Sequence, residues 1–387
     1  MSLRDDAKAR LAALEAAGLR RRPPVLDSPV GRYVEVDGRR LLCFSSNDYL
    51  GFASDAALLD AIRRDLEAHG IGAGASRLVC GTQRAHVELE QALAAHLGKP
   101  AGVLFSSGYA ANVGLLQGLP ERGDLIVSDE LNHASLIDGC RLSRARVEIV
   151  PHLDLDAIAR ALGERAEARA FLVVEAIYSM DGDDAPLREL ARLAERHEAA
   201  LVVDEAHSFG VYGPEGRGLC AQLGVEPEIL IATFGKSFGL SGALVAGDPE
   251  VVELLRHRAR SYVYSTAPSP VVALGLARSL EAVKAADDRR ARLARHAERL
   301  RTGLVRLGYR VPEGRSAIVP VIVGENRRTL AVDAALRERG FLVQAIRPPT
   351  VPEGTARLRI VPTAAHEPED VEALLTAFRE LRSELDR

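Results

Sequence analysis

Between about residue 55 and residue 246, two hydrophobic periods alternate along the chain. Segments with apolar residues at helical spacing (Ala56–His69, His86–His96, Ala110–Gly118, Asp154–Glu164 and Leu187–Ala199) are interleaved with short, nearly continuous apolar runs. These runs are Gly102–Phe105, Leu125–Ser128, Val147–Val150, Phe171–Val174, Leu201–Val203, Ile229–Ala232 and Gly242–Ala246. A short apolar run without polar alternation reads as a strand buried on both faces. Strands separated by helices assemble into a parallel sheet with helices on either side. The pattern therefore predicts an α/β fold whose large domain holds a mostly parallel seven-stranded sheet flanked by helices.

Upstream, Leu3, Ala7, Leu11, Leu14 and Ala17 lie at helical spacing and predict an N-terminal helix, followed by short strands at Tyr33–Val36 and Leu41–Phe44. Downstream, a helical stretch rich in Ala, Leu and Arg covers roughly residues 268–305. It is followed by a strand at Ile318–Val323, a helix at Leu330–Glu338, strands near Leu342–Gln344 and Ala356–Ile360, and a final helix from Pro368. That order suits a smaller C-terminal α+β domain. The expected divisions are 1–44 for the N-terminal helix and small strands, 45–283 for the large domain and 284–387 for the small one.

Composition narrows the possibilities without choosing among them. At 387 residues the chain exceeds one simple core. A net charge of −4 gives no reason to expect nucleic acid or an anionic membrane as partner. Cys43, Cys80, Cys140 and Cys220 are scattered, which argues for reduced thiols and against a zinc site, so no metal is expected. The N-terminal residues lack the apolar stretch of a signal peptide, and no run reaches the length of a membrane span; the expectation is a cytoplasmic protein.

In open parallel sheets, ligands bind beyond the carboxyl ends of the strands, and the reactive residues of this chain fall there repeatedly. Leu125–Ser128 leads to His133, Phe171–Val174 to Ser179, Leu201–Val203 to Asp204 and His207, and Ile229–Ala232 to Thr233 and Lys236. A lysine just past one strand can form a Schiff base, and a carboxylate ending another can hold a proton on a pyridine nitrogen. Together Lys236 and Asp204 describe a site for pyridoxal 5'-phosphate (PLP). Gly102–Phe105 runs into Ser106-Ser-Gly-Tyr-Ala-Ala-Asn112, where Gly108 and Tyr109 open a helix whose free N–H groups can take a phosphate; an ordinary Ser/Gly cap is the other reading. His133 and His207 are either core histidines or groups that stack on the cofactor ring and donate to its phenolic oxygen. Gly235-Lys236-Ser237 imitates the tail of a nucleotide-binding P-loop, but position 230, where that motif needs glycine, is leucine. Gly70-Ile-Gly-Ala-Gly74 follows a helix rather than a strand, which argues against a dinucleotide fingerprint and for a flexible loop at the site.

Six motifs carry a resemblance: Phe44-Ser-Ser-Asn-Asp-Tyr-Leu-Gly51, Asn132-His-Ala-Ser-Leu136, Ser179-Met-Asp-Gly-Asp183, Asp204-Glu-Ala-His207, Thr233-Phe-Gly-Lys236 and Gly354-Thr-Ala-Arg-Leu-Arg359. With them the chain resembles the α-oxoamine synthases, a branch of the fold-type I PLP enzymes, over nearly every residue after the first helix. The resemblance implies an acyltransferase that joins an amino acid to an acyl thioester with loss of CO₂. Ala345-Ile-Arg-Pro-Pro-Thr-Val-Pro352 is similar to the biotin-pathway members, which implies L-alanine and pimeloyl-CoA or a pimeloyl-acyl carrier protein as substrates. The alternative is a sister activity of the glycine C-acetyltransferase, 5-aminolevulinate synthase or serine palmitoyltransferase type.

The same resemblance implies that Lys236, His133 and Asp204 are catalytic and that Gly108, Tyr109, Ser179, His207 and Thr233 hold the cofactor. It further implies that Arg20, Asn47, Arg347 and Thr350 meet substrate, with Arg347 gripping the amino-acid carboxylate; taken alone, Arg347 reads as a surface arginine. It also implies a homodimer in which Ser265 and Thr266 reach the neighbour's phosphate, although Ser-Thr before Ala-Pro reads equally as a helix cap. Ser208-Phe209 stands where many biotin-pathway members carry Gly-Thr, a departure that bears on the acyl pocket.

Overall fold

The computed structural model describes residues 2–385. The helix Leu3–Ala16 is followed by β1 (Tyr33–Val36) and β2 (Arg39–Cys43). Next come β3 (Ala101–Phe105), β4 (Asp124–Asp129), β5 (Arg146–Val150), β6 (Arg169–Glu175), β7 (Ala199–Asp204), β8 (Ile229–Thr233) and β9 (Ala243–Gly247). The last four are β10 (Val319–Gly324), β11 (Phe341–Leu342), β12 (Gln344–Ile346) and β13 (Ala356–Ile360), before the helix Pro368–Leu385.

Strands β3 to β9 form one seven-stranded sheet in the order β3-β9-β8-β7-β6-β4-β5. Every neighbouring pair from β5 to β8 is parallel, whereas β9 runs antiparallel to both β8 and β3. Strands β4, β8 and β9 are buried along their whole length, as two-sided coverage by helices requires. The helix Leu187–Arg196 shows how the covering works: Leu187, Leu190 and Ala194, one stripe of its surface, are buried. After β4 the chain crosses to β5 on one side and then returns to place β6 on the other. The β4/β6 boundary is therefore the topological switch point, where such sheets open a crevice.

The chain divides into two compact units, one of Phe52–Ser179 and Asp184–Arg290, the other of Met1–Gly51, Met180–Asp183 and Ala291–Arg387. The N-terminal segment and the C-terminal α+β region, read separately in the sequence, thus share a unit. Within it β1, β2 and β11 make one small sheet and β10, β13 and β12 another. Leu42, Phe44, Leu300, Val319, Leu358 and Phe378 belong to its core.

Some elements differ from expectation. The single helix expected over residues 268–305 is two, Pro270–Lys284 and Asp287–Arg306. The first ends in a turn closed by Ala285 N–H on Glu281 O, and the second starts with Asp287 and Asp288, acidic residues suited to a helix N-terminus. A further helix, Ala134–Leu142, was hidden because its cap is a histidine: the His133 side chain accepts from Ser135 N.

Candidate active site

Four strand ends place their last residues on one edge of the large sheet: Asp129 of β4, Glu175 of β6, Asp204 of β7 and Thr233 of β8. Glu175 and Asp204 are direct register partners on adjacent parallel strands. Asp129 is occupied structurally, with His152 Nδ1 at 2.9 Å and Leu131 N–H at 2.8 Å. Asp204 is 4% exposed and accepts from Asn112 Nδ2 at 2.7 Å and Ala206 N–H at 2.9 Å. Two N–H donors on a buried carboxylate fix its aim.

Lys236 is half-buried in the turn that follows β8. The turn closes through Gly239 N–H on Lys236 O at 3.0 Å and Leu240 N–H on Phe234 O at 3.1 Å. Residues 234–242 contain no helix, so the P-loop reading has no helix N-terminus to use. Gly239 has φ +70°, and a Cβ there would stand 2.5 Å from Ala53 N, so only glycine lets the turn close. Beneath the turn, Ser237 Oγ donates to Phe209 O at 2.6 Å, and the Phe209 ring stacks on Phe238 at 4.8 Å. Ser208 and Phe209 are fully buried, and Ser208 Oγ bonds the buried Glu205 carboxylate. Their departure from the family pattern thus sits in the core, where Phe209 braces the lysine turn. His207, 7% exposed, lies just before them.

The helix Gly108–Gly118 begins at the end of β3, with Ser107 Oγ accepting from Ala110 N–H at 3.1 Å. A Cβ on Gly108 would meet Thr233 Cγ2 at 2.8 Å, so glycine brings this helix N-terminus against β8. Tyr109 is 50% exposed and its hydroxyl donates to Asp138 at 2.6 Å. Ser179 is buried beyond β6, and Thr266, exposed, pairs with Ser76 in an isolated bridge. The cap reading of Ser265-Thr266 is corrected: Ser269 caps the helix Pro270–Lys284 through Val271 N–H. The glycine-rich segment 70–74 leads into residues tied to this region, with Ser269 Oγ donating to Ile71 O at 2.6 Å and Ala267 N–H to Ala75 O at 2.9 Å.

His133 N–H donates to Glu175 Oε1 at 2.5 Å across the switch point. The His133 ring is lowered from its ordinary pKa by desolvation; Asp204 pulls it back up and Lys236 lowers it further. Glu175 is raised well above the usual carboxylate range by burial and then by Asp204. Lys236, Asp204, His133 and Glu175 thus share one electrostatic environment. Glu175, Asn112 and Ser135 were not singled out in the sequence; Asn112 and Ser135 are buried polar residues on covering helices, which carry no periodicity signal, and Glu175 ends β6.

In the other unit, Asn47 Oδ1 accepts from Arg359 Nη1 at 2.9 Å. Arg359 ends the Gly354–Arg359 motif but received no role; it is 6% exposed, and burial lowers its pKa against the pull of Tyr49. Arg347 is half-buried and donates to Gly18 O. Thr350 Oγ1 accepts from Arg21 at 2.8 Å, while Arg20 pairs with Glu15 at 3.1 Å. Of the Arg20-Arg-Arg22 cluster, the structure brings Arg21, not Arg20, to Thr350.

The edge fits PLP: an amine for its aldehyde, a buried carboxylate for its ring nitrogen, and a helix start that only glycine can bring against Thr233. Fold and site together define a PLP-dependent enzyme. Residues 39–378 match the family model of aminotransferase class I and II. The 8-amino-7-oxononanoate synthase of Herminiimonas arsenicoxydans is 46% identical over 384 residues, covering 97% of this chain and 99% of that one. The enzyme of the same name from Anaeromyxobacter sp. (strain Fw109-5) is 50% identical over 373 residues, 96% of this chain and 94% of that one. Among solved structures, serine palmitoyltransferase of Sphingomonas wittichii superposes with a TM-score of 0.92 at 34% identity, covering 97% of this chain and 96% of that one. The 8-amino-7-oxononanoate synthase of Francisella tularensis gives 0.77 at 27% identity, covering 89% of this chain and 99% of that one. The chain belongs to the aminotransferase class I and II family and, within it, to the α-oxoamine synthases.

Proposed function

We propose that this enzyme condenses L-alanine with a pimeloyl thioester, releasing CO₂ and the free thiol and giving 8-amino-7-oxononanoate for biotin synthesis. The gathering of Lys236, Asp204, His133 and Thr233 on one sheet edge carries the reaction class. Sequence carries the substrates: relatives named for that product reach 46–50% identity, against 31–34% for the serine palmitoyltransferases. The higher TM-score of the latter measures shared backbone, and fold likeness does not choose substrates.

When bound, PLP supplies an electron sink for the carbanion left at the alanine Cα. Lys236 Nζ would hold the cofactor through its aldehyde, and as a free amine it is the base placed to take the alanine Cα proton. Asp204 would keep a proton on the ring nitrogen, and Asn112 Nδ2 and Ala206 N–H keep Asp204 in place. His207 would donate to the ring's phenolic oxygen, and His133 would stack on the ring. The helix start at Gly108, with Thr233, would hold the phosphate, and Tyr109 and Ser179 would border the cofactor. Arg347 or the buried Arg359 takes the alanine carboxylate, a bidentate match for a guanidinium; Asn47, Thr350 and Arg20 complete the substrate contacts. The new C–C bond forms at the thioester carbon as its C–S bond breaks. Loss of CO₂ and return of a proton to Cα complete the turnover.

The working unit is a homodimer in the cytoplasm. Ile71, Leu78, Val79 and Tyr264 are 76%, 53%, 77% and 73% exposed around the Ser76–Thr266 bridge, an apolar surface suited to a second copy. Thr266 there reaches the phosphate of the partner's site.

Absorbance titration of the purified protein tests the reading. A yellow cofactor band that responds to L-alanine, with product formed on adding pimeloyl-CoA or pimeloyl-acyl carrier protein, is the expected result. A response to glycine or serine with another acyl-CoA, and none to this pair, moves the enzyme to a sister activity. Protein that stays colourless with added PLP overturns the cofactor assignment.

A further inference from the structure

We infer that Asn112 and Ser135 are positioning residues: they form a hydrogen-bond relay that ties the tautomer of His133 to the carboxylate of Asp204. The inference rests on the reading of His133 as the residue that stacks on the cofactor.

Both ends of the relay are one-way groups, so its donors can be assigned throughout. An ionised carboxylate only accepts, so Asn112 must turn its NH₂ to Asp204, with Nδ2 to Oδ2 at 2.7 Å. The same nitrogen has a second hydrogen, and Ser135 Oγ lies 2.9 Å away to receive it. At the other end the Ser135 backbone N–H, which can only donate, points at His133 Nδ1 at 3.2 Å. Nδ1 therefore carries a lone pair, and the ring's proton sits on Nε2. Ser135 Oγ stands 2.7 Å from that same Nδ1. Having accepted from Asn112, the hydroxyl sends its own hydrogen to Nδ1.

Burial makes the arrangement persistent. Asn112 and Ser135 are each 1% exposed and Asp204 is 4% exposed, so water does not compete for these bonds. Asn112 Oδ1 has no hydrogen-bond partner among the described residues, so the amide is oriented for what its nitrogen donates to. The His133 backbone is fixed separately through Glu175. The desolvation that lowers the pKa of His133 favours the same neutral ring. His133 consequently offers an N–H, never a lone pair, from Nε2. That suits a group that donates a hydrogen bond to the substrate.

The test reads the ring directly, through ¹⁵N spectra of histidine-labelled holoenzyme in which His133 is assigned by its loss in His133→Asn. The expected wild-type ring is neutral, with Nδ1 bare and Nε2 protonated. Ser135→Ala keeps the backbone N–H on Nδ1 and so the tautomer, but removes the shorter hydroxyl bond at 2.7 Å; it is expected to shift the Nδ1 resonance, and Ser135→Thr to restore it. In turnover, Ser135→Ala is expected to lower kcat by about 10- to 100-fold, the range found when supporting partners of ligating histidines are removed. KM for L-alanine should change by less than about threefold, and Ser135→Thr should recover most of kcat. A wild-type ring protonated on Nδ1, or a Ser135→Ala enzyme with an unchanged Nδ1 resonance or unchanged kcat, overturns the relay. The spectra need no substrate, so they decide the relay even if L-alanine proves not to be the substrate.

Discussion

The sheet edge in the larger unit and the arginine cluster in the smaller one hold their polar groups by opposite means. At the edge, Asp204, His207 and Thr233 are 4%, 7% and 7% exposed and sit on strand ends or the turns just beyond them. Their positions follow from backbone register, and their side chains are short. In the cluster, Arg20 keeps 42% of its side chain exposed, Thr350 is exposed, and Arg21 and Arg347 reach their partners through long flexible stems. Arg359 is the exception, a guanidinium buried on β13 and held by Asn47. Groups that act on reacting atoms need fixed geometry, which strand ends supply. Groups that grip a flexible substrate need reach, which arginine supplies.

If that contrast holds, substitutions at the edge should be severe and those in the cluster graded. Lys236→Ala is expected to cost about 10⁴-fold in activity, the upper range of a lost acid–base group, and to leave cofactor that dialyses away; residual activity near wild type would remove the lysine from the mechanism. Phe209→Ala opens a cavity under the lysine turn. The expected loss is about 3–5 kcal/mol of stability, read by thermal or denaturant unfolding. KM for the acyl donor should stay unchanged, since the ring is in the core; a changed KM would put Phe209 back in the acyl pocket.

Asp204→Asn keeps the shape and removes the charge. A kcat loss of about 10²- to 10³-fold is expected, comparable to removing one electrostatic contact from a transition state. Among the arginines, alanine at whichever of Arg347 and Arg359 takes the carboxylate should raise KM for L-alanine about 10- to 100-fold, the worth of a hydrogen bond to a charged group. Arg20→Ala should change KM and stability little, because an exposed ion pair contributes about 0.2–1 kcal/mol. A large Arg20 effect beside a small Arg21 effect would reverse the pairing seen with Thr350.

The smallest effect concerns Asp333, whose carboxyl burial raises to about 6 against the pull of Arg337 and Arg347. A carboxyl raised in the folded state favours folding in its protonated form. That contribution is fully present below the unfolded-state value near 3.8 and is lost as pH rises toward about 6. Asp333→Asn should therefore raise the melting temperature at pH 7 and leave it nearly unchanged at pH 4. A drop at pH 7 would mean that its contacts with the arginines outweigh burial.

Much of the edge was legible before any coordinates. The apolar runs ending at Ser128, Val174, Val203 and Ala232 located four strand ends. Lys236, Asp204, His133 and His207 all followed from the rule that ligands gather there. Asn112 was not legible: it lies 92 residues from Asp204, and its only sequence mark was membership of a helix-opening motif. Glu175 stood just past the expected strand Phe171–Val174 with no assigned role, and its bond to the His133 backbone spans 42 residues. The helix break at Ala285 was missed because alanine continues a helix in any local reading.

The sequence by itself determined the alternation of strand and helix, the glycines that let Lys236's turn and the Gly108 helix start close up, and the polar residue types that stand at the strand ends. Those properties are local, encoded in periodicity and in the chemistry of single residues. Tertiary structure decided which donor faces which acceptor: Asn112 on Asp204, Ser135 on His133, Arg21 rather than Arg20 on Thr350. Such pairings depend on strand order and on how helices pack across the sheet, and residues distant in the chain meet only once those are set.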